Sequence, residues 1–166
     1  IQSEGVAATP KHFAVNSQEL RRMVSDSVID ERTLRELYLT AFEIVVREAK
    51  PWAIMSSYNL VNGEYAHENT HRLPDILRAG WGCDGAVSSD WGGGNDAAAA
   101  VRAGGTLEMP SPGFDSARDI VAAVRAGTLA EADLDARVRE VLDLVEVDQH
   151  EGGAGGGSGG CYRELR

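Results

Sequence analysis

The densest chemistry in the sequence lies in residues 85–94, GAVSSDWGGG, where a carboxylate, Asp90, stands beside a large aromatic, Trp91, and three glycines follow. Gly85 to Ser88 reads as a short buried strand of small and β-branched residues bounded by glycine. Residues at the carboxyl ends of strands line the active site in parallel α/β folds. A carboxylate held there beside an aromatic plate suits sugar chemistry: a ring stacks on the aromatic face while the carboxylate meets the anomeric carbon. The plainer alternative is that Asp90 only caps the following helix.

Two other strand ends carry chemistry of the same kind. Lys11-His12 follows the first strand, and Tyr58-Asn59 ends the second. A lysine donates three hydrogen bonds as a point charge, and a neutral histidine donates one and accepts one, so the pair suits a polyhydroxylated ligand. Taken singly, each of these residues is more often structural. Three strand ends carrying polar or aromatic groups together argue for a site.

Three other features invite chemistry and fail on context. His67-Glu68-Asn69-Thr70-His71 matches HExxH, which binds zinc when both histidines share one face of a continuous helix. Here the segment follows an Asn-Gly turn, contains the poor helix formers Asn69 and Thr70, and meets Pro74 three residues later. No third ligand is evident, so no metal site and no cofactor are expected. Gly92-Gly93-Gly94 before a helix could cradle a phosphate. It lacks a P-loop lysine and the GxGxxG spacing, and reads as a flexible exit from the strand. Cys83 is read as a small apolar residue under the sheet.

The elements that must position these residues alternate. Strands are expected over Gly5–Phe13, Trp52–Tyr58, Gly85–Ser88 and Thr106–Met109. A helix capped by Asp30 carries apolar positions at Leu34, Leu37, Tyr38, Ala41, Ile44 and Val45 and stops at Pro51. Asn62-Gly63 is a turn, and a short helix covers Leu73–Ala79. Asn95 caps an alanine-rich helix, Asp115 caps another through Arg125, and Leu134, Val138, Val141, Leu142 and Val145 stripe the last. Four strands alternating with helices imply an α/β fold of βαβ units with a parallel sheet. Residues 1–149 form the domain, and from His150 the composition, EGGAGGGSGG, is that of a flexible tail over 150–166.

The 166 residues suffice for one domain with a core. The net charge of −10 argues against a nucleic-acid backbone or an anionic membrane as partner. No apolar run is long enough to span a bilayer. Cys83 and Cys161 are too few for a disulfide framework and are expected to be free. A chain that starts at Ile1 without methionine reads as part of something longer.

Five separated stretches, KHFAVNSQE, ERTLRELYLTAFE, MSSYNLVNGE, LPDILRAGWGCDGAVSSDW and AGGTLEMP, occur in the order found in the catalytic barrel of glycoside hydrolase family 3, and the chain resembles its β-glucosidase and β-xylosidase type from about Gly5 to Val145. The resemblance implies a TIM-type (β/α)8 barrel of which this chain holds the C-terminal half, strands five to eight. Asp90 then matches the nucleophile and Trp91 the aromatic flanking the sugar. Lys11 and His12 match the pair that bonds sugar hydroxyls, Arg22 a basic ligand of the same subsite, and Tyr58 a tyrosine beside the nucleophile. Ala14-Val15-Asn16 departs from the KHFPGHG pattern of the N-acetylglucosaminidase branch, and Cys83 replaces the usual phenylalanine.

The mechanism so implied is retaining hydrolysis of a β-linked glucoside or xyloside through a glycosyl ester on Asp90. A second carboxyl group about 5–5.5 Å away protonates the leaving oxygen. In the family that glutamate lies beyond the barrel and is not assignable here. The rival reading is a non-catalytic chain that binds sugar weakly or needs a partner to complete the barrel. The resemblance further implies cis non-proline peptides around Lys11-His12-Phe13. Half a barrel exposes two sheet edges, and Val87, Ile54 and Ala8 would lose half of their core, so self-association is expected.

Overall fold

Asp30 begins the first long helical stretch as expected: its Oδ1 accepts the Thr33 amide at 2.9 Å and its Oδ2 the Thr33 hydroxyl at 2.7 Å. These bonds hold the Asp30 carboxyl below its ordinary value. In the computed structural model, which describes residues 1–151, that stretch is not one uniform helix. It runs as α1 (Glu31–Thr33), a π-helical turn (Leu34–Tyr38) and α2 (Thr40–Ala49), ending where Lys50 turns left-handed before Pro51. The π turn, with Leu39 N bonded to Leu34 O, inserts one residue and rotates the inner face. Leu34, Leu39 and Val46 are therefore buried, while Leu37 and Ile44, expected inside, are exposed.

Four chain segments run parallel in chain order, which is the expected α/β organisation. β1 (Asp26–Ser27) lies apart from them, in a small sheet with β3 (Leu60–Val61) and β4 (Glu64–Tyr65). β2 (Ala53–Met55) pairs in parallel with β5 (Ala86–Ser88), Ile54 opposite Val87. Phe13 bridges Ser56 on one side and Leu107 bridges Ser88 on the other. The outer two segments are far less regular than a reading as full strands predicts. Over Gly5–Phe13 only Phe13 is bridged, because Pro10 has no amide to give and only its carbonyl joins the ladder, accepting Met55 N at 3.1 Å. The Lys11–His12 and Phe13–Ala14 peptides are cis, as is Met109–Pro110. Within Thr106–Met109 only Leu107 is bridged.

Ile54 and Val87 are fully buried and belong to one core with Phe13, Leu34, Leu73, Ile76 and Leu77. The expectation that they face an absent half of the core is thus wrong: strand alternation turns them towards the helices. Phe13 meets Phe42 and Trp81 edge to face, with centroids at 5.2 and 6.0 Å. Cys83 is free and 8% exposed in the same core.

The remaining elements are two 3-10 turns (Gln2–Glu4 and Ala66–Glu68), a π-helical stretch (Arg72–Gly80), α3 (Ala97–Ala103), α4 (Asp115–Arg125) and α5 (Glu131–Glu151). Asp96, not Asn95, caps α3, accepting Ala99 N at 2.9 Å. Asp115 is the first helical residue of α4 and caps nothing by its side chain. The inner face of α5 also differs from the apolar stripe: Val138, Leu142 and Val145 are about half exposed. Arg137 and Glu140 occupy the inner face, tying α5 to Arg78 with Glu140 2.9 Å from Arg78 and 2.7 Å from Arg137. α5 covers 150–151, the first two residues of the tail expected over 150–166; the rest of that tail, with Cys161, lies outside the described residues.

Candidate active site

Asp90 follows β5, Tyr58 follows β2, and His12 immediately precedes the bridged Phe13, so three adjacent parallel segments deliver their polar groups to one end of the sheet. His12 Nε2 stands 3.2 Å from Asp90 Oδ2. The Asp90 side chain is 13% exposed and that of His12 31%, so the carboxylate is mostly covered yet open on one side. Its other oxygen, Oδ1, accepts the Trp91 amide at 2.7 Å. Since Asp96 caps α3, the helix-cap reading of Asp90 falls.

Tyr58 joins the group from the neighbouring loop. Its hydroxyl donates to Trp91 O at 2.9 Å. Burial and then the nearby Asp90 carboxylate push the phenol up, and the Arg22 guanidinium opposes them. Arg22 stacks over the Tyr58 ring with 4.7 Å between guanidinium and centroid, and its Nη1 holds Glu19 Oε2 at 2.6 Å. Trp91 is 56% exposed. Lys11 is exposed and makes no hydrogen bond or ion pair with the described residues. His12 and the Trp91 amide thus hold the Asp90 carboxylate, Tyr58 is tied to the same loop and Arg22 to Tyr58, while Lys11 makes no such contact with the described residues.

The glycine run is less free than its composition predicts. Gly92 N donates to Met109 O at 2.7 Å and Gly93 N to Asp90 O at 2.9 Å, so these amides close a turn and are not turned towards a phosphate.

The HExxH histidines part company. His67 is buried with Nδ1 3.0 Å from Ser56 Oγ, and burial pushes it down to about 4. His71 is on the surface, between Asp75 and Glu31, and both carboxylates push it up. The two lie on different elements, the 3-10 turn and the start of the π-helical stretch, so the shared helical face that zinc requires does not form.

Sequence reasoning missed two acidic residues here. Glu19 lies three residues before Arg22, a spacing at which ion pairs form on any helical turn. Glu68, hidden inside the HExxH match, accepts the amides of Asn95 and Asp96 at 2.7 and 2.8 Å, and nothing in the sequence signals it.

Against this geometry, the profile of the glycosyl hydrolase family 3 N-terminal domain matches residues 1–144. The chain belongs to glycosyl hydrolase family 3. Among family relatives, the thermostable beta-glucosidase B of Acetivibrio thermocellus is 46% identical over 145 residues, covering 87% of this chain and 19% of that protein. An Exo-alpha-(1->6)-L-arabinopyranosidase of Bifidobacterium longum is 47% identical over 145 residues, again 87% of this chain and 19% of the relative. Among solved structures, beta-glucosidase 3B from Thermotoga neapolitana in complex with glucose superposes with a TM-score of 0.86 at 40% identity, covering 91% of this chain and 22% of that one. The chain therefore spans about a fifth of the length of the family 3 proteins it matches.

Proposed function

We propose that this chain supplies the nucleophile and part of the sugar subsite of a retaining β-glycosidase, of β-glucosidase type, and that it corresponds to strands five to eight of a (β/α)8 barrel. The observation that carries the reading is the mostly covered Asp90 carboxylate, held through Oδ1 by Trp91 N and flanked at Oδ2 by His12. Ionised Asp90 attacks the anomeric carbon. An ester bond forms between carboxylate oxygen and sugar, and the glycosidic bond breaks with its electron pair on the departing oxygen. Water then cleaves the ester. His12, Lys11 and Arg22 bond the sugar hydroxyls, Tyr58 positions the Asp90 loop through Trp91 O, and the Trp91 ring stacks on the sugar. The group that protonates the leaving oxygen is not among the residues at this site.

Similarity of this chain to relatives named for glucose and for arabinopyranose leaves the β-glucoside as the first substrate to try. Activity on an aryl β-glucoside, lost in Asp90→Ala, supports the reading. An Asp90→Ala chain as active as wild type contradicts it. The rival reading, a sugar-binding chain that needs a second copy or a missing barrel half, draws on Phe13 and Leu107, which are the outermost of the four parallel segments and bridge on one side each. Sedimentation at micromolar concentration tests it: self-association supports it, and a cooperatively melting monomer counts against it.

A further inference from the structure

Glu68 lies outside the set of groups assigned above, yet it is joined to the Asp90 loop by a continuous run of hydrogen bonds. One carboxylate oxygen, Oε1, accepts both Asn95 N at 2.7 Å and Asp96 N at 2.8 Å. The Asn95 side chain, through Nδ2, donates to Gly93 O at 3.3 Å, and Gly93 N donates to Asp90 O at 2.9 Å. Between Asp90 and Asn95 lie Trp91 and three glycines, a stretch whose backbone has much conformational freedom to lose. Left unpinned, a chain of that composition would let the Asp90 carboxylate and the Trp91 ring sample many positions.

Glu68 is itself firmly placed. It ends the 3-10 turn that packs on α3, and that turn is fixed at its start by Ala66 N donating to Asn59 O at 3.0 Å, directly after Tyr58. The loops after β2 and β5 are thus clamped to each other twice: near the carboxylate by Tyr58 hydroxyl to Trp91 O, and at the far end of the glycines by Glu68. The half-buried Glu68 carboxyl is raised by its burial and held back by the two amides, as expected of a group whose bonding partners are the chain itself.

We propose that Glu68 is a positioning residue for the nucleophile: its carboxylate fixes the glycine-rich exit and thereby the orientation of Asp90 and Trp91 towards the sugar. This inference rests on the glycosidase reading of Asp90 and adds to it a residue that never touches substrate.

The test is the rate at which a fluorosugar with a dinitrophenyl leaving group labels the full chain, read by mass spectrometry. Such a leaving group departs with its electron pair and needs no proton, so the step asks only for a well-placed Asp90. Glu68→Ala is expected to slow labelling about tenfold, the scale of one charge-assisted hydrogen bond, while Glu68→Gln, which keeps an acceptor oxygen for both amides, stays close to wild type. Circular dichroism reports the folded fraction by which each rate is corrected. An unchanged corrected rate in Glu68→Ala overturns the proposal, as does equal slowing in Glu68→Gln. If Glu68→Ala does not fold, Glu68→Asp replaces it. Too short to reach the amides, it is expected to slow labelling while folded, and a wild-type rate refutes the proposal. An unlabelled wild-type chain overturns the glycosidase reading, and this inference falls with it.

Discussion

The imidazole of His12 and the carboxylate of Asp90 face each other at 3.2 Å across the ends of two parallel segments that are not adjacent in the sheet, with the β2 segment between them. His12 thus meets the Asp90 oxygen that the Trp91 amide does not hold. Donated from Nε2, a hydrogen bond of this length fixes the orientation of the Asp90 carboxylate.

His12→Ala should therefore weaken the reaction at Asp90 without unfolding the chain. The expected loss is about tenfold in the rate of fluorosugar labelling, equivalent to ~1.4 kcal/mol, at the lower edge of the roughly 1.5–3 kcal/mol of a hydrogen bond to a charged group. His12→Gln, whose amide can donate, should recover part of it. Equal rates in all three proteins would show that the pair plays no part.

Two histidines of the false zinc motif should give stability opposite dependences on pH. His67 is buried and neutral, with a folded value near 4 against 6.5 when unfolded. Between those values the unfolded chain binds the proton and the folded chain does not. Stability is thus fully present above pH 6.5 and falls as pH drops, by up to about 3 kcal/mol at pH 4. His71 is raised by Asp75 and Glu31, so its contribution is present below 6.5 and disappears as pH rises through its folded value. Urea unfolding across this range, repeated in His67→Gln and His71→Ala, separates the two. A wild-type acid-side slope that persists unchanged in His67→Gln would refute the assignment.

Much of this organisation was legible in the sequence, and the rest was hidden for physical reasons. Asp90, His12 and Tyr58 stand out because strand ends in a parallel sheet share one side, so a local reading of each strand also places its neighbour. The inner face of the first long helix was not legible. A π turn at Leu34–Tyr38 adds one residue per turn without leaving a compositional mark, which moves Leu37 and Ile44 outside. The face of α5 misleads for a different reason: Arg137 and Glu140 point inward to meet Arg78, against the rule that charge faces water. Ile54 and Val87 were recognisable as buried, but which side of the sheet they bury on depends on a one-residue register.

That inward ion cluster makes its own prediction. Glu140 bonds Arg78 and Arg137, all three side chains no more than 16% exposed, and accepts the Thr106 hydroxyl at 2.5 Å. Its carboxyl is raised by burial, which the two guanidinium groups offset. Glu140→Ala leaves two poorly solvated cations facing each other and should cost about 3 kcal/mol in urea unfolding. A loss below about 0.5 kcal/mol, the level of a surface pair, would show that α5 is held by other contacts.

Whether Asp90 is the nucleophile is read most directly from the site of covalent attachment. The full chain is incubated with the fluorosugar bearing a dinitrophenyl leaving group, digested, and its peptides are sequenced by mass spectrometry. One fluoroglycosyl unit, in ester linkage, is expected on Asp90 and none on the Asp90→Ala chain. A label on any other residue, or no label on a chain shown to be folded, would contradict that role for Asp90.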